Sequence, residues 1–143
     1  MAAAQPARSL GVIAIDTNVL VRYFTQDNAQ QAKAAAVLIE DTLTAQRSGF
    51  ISTIVLCELL WVLRKFYAVD RAAAANIIET VLAVDALTVE CRDAVARAVL
   101  DFRAAQADFA DCLMFELAQE QGCTEFVTFD KAFARRAGVR LLA

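Results

Sequence analysis

Five short apolar runs alternate with helix-length segments along this chain, and that alternation restricts the possible fold more than any other feature. The runs are LGVIAID (10–16), FIS (50–52), LTVE (87–90), TEFVTFD (124–130) and VRLLA (139–143). Apolar strands without polar alternation are typical of a sheet covered on both faces. The segments between them carry helical periodicity and helix punctuation. Thr17 or Asn18 is placed to cap the first helix, Asp70 a later one, and Gly49 and Gly122 stop two others. Single helices or helix pairs between successive strands predict an α/β fold: a three-layer sandwich around a mostly parallel five-stranded sheet with right-handed crossovers. The expected organisation is an N-terminal tail over residues 1–9 and one domain over residues 10–143.

The composition excludes several chemistries. The chain has 143 residues and no histidine, which removes the usual general base and the Ser-His-Asp and Cys-His arrangements. Any hydrolysis must rest on carboxylates, a metal or lysine. The four cysteines form no C-x-x-C pair, so buried free thiols are expected rather than a zinc site. The content is 59% hydrophobic, above the usual range, and is inflated by 30 alanines. The remaining excess suggests extra apolar surface for an oligomer. The start MAAAQPARSLG has no apolar signal-peptide core, and the apolar stretch near 54–63 is interrupted by Glu58. A soluble, cytoplasmic protein is expected, with no membrane partner.

Glu58 stands out within ISTIVLCELLWVLRKF (51–66). Its helical neighbours are Ile54, Val55, Trp61 and Val62, so it reads either as a carboxylate set in an apolar wall or, with Lys65, as part of a thin wet seam along the helix. Lys65 shares its stripe but lies two turns on, roughly 10 Å away and too far for a direct pair. The other notable acids sit at element ends. Asp16 and Asp130 close two apolar strands; in an open parallel sheet, ligands bind beyond such carboxyl ends. Asp108 and Asp111 share one face at the start of the helix preceding the Asp130 strand. Each acid alone suits a helix cap or dipole role. Together, topology directs Asp16, Glu58, Asp108, Asp111 and Asp130 towards one edge. Carboxylates so gathered repel, and a divalent cation relieves them; an all-oxygen donor set suits Mg²⁺ or Mn²⁺.

The net charge is −3 and the isoelectric point near 4.9. Setting those five acids aside leaves 14 basic against 12 acidic residues, a net of +2. Lys131, Arg135, Arg136 and Arg140 cluster near the C-terminus, and Arg22 lies just beyond Asp16. An acidic pocket fringed by bases can accept a phosphodiester, with Arg22, Lys131 and Arg135 as candidate contacts to a nucleic-acid backbone.

The segment IAIDTNVLVRYF, the Glu58 helix, ADFADCLMFELAQEQGCTEFVTFD and the terminal VRLL together resemble the PIN domain over nearly the whole chain. The length and motif set are similar to VapC-type toxins of bacterial toxin–antitoxin pairs. The resemblance implies an endoribonuclease dependent on Mg²⁺ or Mn²⁺, the toxin of a type II system, with RNA as substrate, a cognate antitoxin as partner and a homodimeric state. It also implies a sheet of order 3-2-1-4-5. Asp16, Glu58, Asp111 and Asp130 match the family's acidic positions, as metal ligands and catalytic groups. Asp108, Asn18 and Thr128 are auxiliary, Asn18 as the residue that steadies the first aspartate. The alternative is a non-catalytic or phosphate-binding α/β module with an acidic metal pocket. A phosphatase of the haloacid-dehalogenase type is disfavoured because D-T-N has no second aspartate two places on.

Overall fold

The expected strands form, but they are shorter than their apolar runs and fall into two sheets. A computed structural model describes residues 11–143, so the expected tail at 1–9 lies outside the described residues. The first sheet is parallel, of order β1-β2-β3, from β1 (Ile13–Ala14), β2 (Gly49–Ile51) and β3 (Leu87–Val89). The second pairs β4 (Phe126–Thr128) with β5 (Val139–Leu141), also in parallel. The expected order 3-2-1-4-5 is therefore present as 3-2-1 and 4-5. Among the described residues no ladder joins β1 to β4.

Among the described residues six α-helices complete the α/β architecture: α1 (Thr17–Thr25), α2 (Ala29–Ala36), α3 (Thr53–Phe66), α4 (Arg71–Ala83), α5 (Arg92–Ala104) and α6 (Phe109–Glu120). Their starts follow local chemistry. Asn28, Ser52 and Asp70 each accept a first-turn backbone N–H, at 3.0, 3.2 and 2.8 Å. For α1 the cap is Asp16, which accepts from Thr17 N at 2.8 Å, rather than Thr17 or Asn18. The long second helix expected over 29–49 is interrupted. Past Ala36 it widens to a π-helical turn (Val37–Thr42), and the chain then turns back through Thr44 and Arg47. Gly49 is thus no helix stop but the first residue of β2, packed too closely against Ile15 and Leu43 to carry a side chain. The expected last helix, 131–138, shrinks to one 3₁₀ turn (Phe133–Arg135).

The core lies between the first sheet and the helices. Leu20, Leu56, Leu59, Ile51 and Ile78 are all fully enclosed. Alanine contributes here as well: Ala74 and Ala75 of α4 and Ala94 and Ala98 of α5 are fully buried where helices approach closely. A separate aromatic group of Phe115, Phe126 and Phe133 ties α6 to the second sheet, with ring centres 5.3 to 6.3 Å apart. Among the described residues no helix is long and apolar enough to cross a membrane. All four cysteines are free, but only Cys112 is buried; Cys57 is half-buried, and Cys91 and Cys123 are exposed.

Candidate active site

The five acids occupy two groups. The first stands at the carboxyl end of β1. Asp16 is exposed and turned onto its own helix by the cap to Thr17. Thr17 is buried, and its hydroxyl donates to Glu58 Oε2 at 2.7 Å, tying the start of α1 to α3. Glu58 is exposed rather than sunk in an apolar wall. The apolar face around it opens to solvent, with Ile54 70% and Trp61 56% exposed. Lys65 makes no pair with it; its ammonium sits 4.6 Å from the centre of the Trp61 ring. Sequence reasoning missed Thr17, although a hydroxyl between Asp16 and Asn18 at a helix start was a visible signal.

The second group surrounds the start of α6. Asp108, Asp111 and Asp130 line one cavity of about 420 Å³, with Arg135 and Arg136 on its rim. Asp108 occupies the position before the helix but makes no capping bond, so its carboxylate remains available to the cavity. Asp111 projects from the first turn, and its pKa is raised, chiefly by burial and then by the charges of Asp108 and Asp130. Asp130 accepts from Ala132 N and Phe133 N at 2.9 and 3.1 Å, which fixes its turn. Thr128 supports that turn, its hydroxyl accepting from Asp130 N at 3.0 Å.

The bases divide similarly. Arg22 is engaged away from the cavity, bonding Asp27 at 3.0 Å and Gln31 at 2.7 Å. Arg136 pairs with Asp101 and Glu116 and lies over the Phe115 ring. Lys131 and Arg135 are exposed and form no ion pair among the described residues. Asn18 is exposed in a groove with Arg22 and Gln31, and no hydrogen bond joins it to Asp16 among the described residues.

The second group has the donor chemistry of a hard-cation site: carboxylate oxygens only, with a repulsion that a cation would remove. No three acidic or thiol side chains among the described residues converge into a ready-made cage. Mg²⁺ does not require one, since it commonly keeps several waters and takes one or two carboxylates. No ladder joins β1 to β4 among the described residues, while α3, which carries Glu58, packs against α6.

Comparison with known proteins places this arrangement in a family. The PIN domain family matches residues 13–139, a span from β1 to β5 that contains all five acids. A VapC ribonuclease of Aquifex aeolicus (strain VF5) is 24% identical over 121 residues, covering 85% of this chain and 89% of that protein. With its matched span reaching from the first strand to the last, this chain belongs to the PIN domain family.

Proposed function

We propose that the chain is a metal-dependent endoribonuclease, the toxin of a type II toxin–antitoxin pair. The observation that carries the reading is the cavity at the start of α6, lined by three aspartates and rimmed by arginines. Membership of the PIN domain family and the likeness to a VapC ribonuclease support it.

In this reading Asp111 and Asp130 hold Mg²⁺ or Mn²⁺, with Asp108 auxiliary. The cation, when bound, lowers the pKa of a water and stabilises charge on the phosphate. Arg135 and Lys131 hold the RNA backbone at the rim. Asp16 and Glu58 complete the same centre, since α3, which carries Glu58, packs against α6. Glu58, held by the Thr17 hydroxyl, takes a proton from the attacking water. Cleavage then leaves a 3′-hydroxyl and a 5′-phosphate. A cognate antitoxin and a second copy of the chain complete the assembly. Exposed Leu100 and Phe129, at 65% and 77%, are apolar side chains that such partners would cover.

The test is incubation of the purified protein with structured RNA and Mn²⁺, beside an aryl phosphate. RNA cleavage without phosphatase activity is expected, abolished by EDTA. Asp111→Asn is expected to reduce the rate at least about 100-fold, the scale of a lost general-base or electrostatic contribution, with an unchanged circular dichroism spectrum. Full activity in EDTA, or a 2′,3′-cyclic phosphate product, would overturn the mechanism.

A further inference from the structure

A second cavity, of about 290 Å³, adjoins the acidic one. Trp61, Arg64 and Lys65 of α3 form one wall, and Phe102, Asp108 and Phe109 face them. Asp108 lines both cavities and stands between them.

Packing within the fold leaves this cavity incomplete. Trp61 is 56% exposed, although it is the largest apolar side chain of α3. Arg64 Nη1 is buried and has no hydrogen-bond partner among the described residues. A guanidinium nitrogen in that state has lost water and gained no acceptor. The Phe102 ring, its centre 5.5 Å from Arg64 Cζ, offsets only part of that loss. Lys65 adds a second cation with no carboxylate paired to it among the described residues. Two cations and an exposed indole therefore line a cavity that holds one acid, Asp108.

We propose that this cavity is a nucleotide subsite, in which Arg64 and Lys65 hold a backbone phosphate of single-stranded RNA and Trp61 stacks on its base. The proposal rests on the ribonuclease reading and extends it. The shared Asp108 places the held nucleotide beside the one being cleaved. Arginine's planar fork suits a phosphate. Aromatic stacking accepts any base, so the subsite selects an unpaired strand rather than a sequence. An acidic peptide would satisfy the cations but leave the exposed part of the indole, which Lys65 and the Phe66 ring edge cover only in part, open to water.

Trp61 is the single tryptophan of the chain, so its fluorescence reports on this cavity alone. The full-length protein is titrated in EDTA with a short single-stranded RNA oligonucleotide, followed by Trp61 fluorescence and by anisotropy of a labelled oligonucleotide. Saturable quenching that weakens with salt is expected. Lys65→Gln, on an exposed side chain, and Arg64→Gln are expected to weaken binding roughly tenfold, with Arg64→Lys intermediate. In Mn²⁺ these variants are expected to raise KM more than they lower kcat. Oligonucleotide binding seen by anisotropy but silent at Trp61, with Lys65→Gln at wild-type affinity, would overturn the subsite. So would quenching by a glutamate-rich peptide but not by RNA. Cleavage by the wild-type protein in Mn²⁺ separates the two readings. Its absence removes the ribonuclease, whereas cleavage with a silent Trp61 removes the subsite alone.

Discussion

Cys112 and Cys123 lie eleven residues apart, yet their thiols meet opposite environments. Cys112, fully enclosed in α6, has its pKa pushed up to about 11, chiefly by burial. Cys57 is raised too, by the same cause. Cys91 and Cys123 are exposed. A disulfide reagent at pH 8 is therefore expected to modify Cys91 and Cys123 rapidly, Cys57 slowly and Cys112 only on unfolding, as peptide mass spectrometry would read directly. The raised value also sets a pH dependence. The neutral Cys112 thiol is favoured by the fold, so its contribution is full below the unfolded pKa, about 8.5. It is then lost as pH rises towards about 11. Urea midpoints from pH 8 to pH 11 are expected to fall more steeply in wild type than in Cys112→Ala. Equal slopes would mean that the thiol is not held neutral by burial. Residue type alone did not distinguish these four positions, because burial of a thiol depends on the neighbours that other elements supply.

Among the elements, β2 shows how closely the layers approach. A Cβ on Gly49 would collide with Ile15 and lie 2.8 Å from Leu43 Cδ1 and 3.1 Å from Leu87 Cδ2. These three side chains are buried core residues with little room to move. Gly49→Ala is expected to lose about 1–3 kcal/mol from overpacking, read as a lower urea midpoint at unchanged slope. A gain in stability would show that the core can yield there. Gly49 was visible in the sequence as a helix terminator, and its actual role was hidden because the π-helical turn ends the preceding helix seven residues earlier. The caps at Asn28 and Asp70, by contrast, were legible, since a cap needs only residues within one turn.

For the whole molecule, cation binding reports whether the acids act as one centre. A cation that binds only the folded state stabilises it by mass action, about 2.7 kcal/mol at a hundredfold excess over Kd. Mn²⁺ is expected to raise the Tm of the wild-type protein by several degrees and to leave Asp111→Asn unmoved. If Asp16 and Glu58 join the same centre, Asp16→Asn also loses the shift. A full Mn²⁺ shift in Asp16→Asn would assign the cation to the Asp108–Asp111–Asp130 cavity alone. Differential scanning fluorimetry distinguishes these outcomes without reference to activity.

The order of strands and helices, the α/β class and the placement of Asp16, Asp108 and Asp130 at element ends were determined by the sequence itself. Each follows from signals a few residues wide: an apolar run, a capping side chain, a helical period. The PIN domain resemblance added the expected sheet order and the roles of the acids. Only the tertiary structure decided that Thr17 reaches Glu58 across 41 positions, that Arg22 is held by Asp27 and Gln31, and that Asp111 shares its cavity with Asp108 and Asp130. Those outcomes depend on which strand edge pairs with which. Strands β1 and β4 are more than a hundred residues apart, and no local pattern encodes whether they pair.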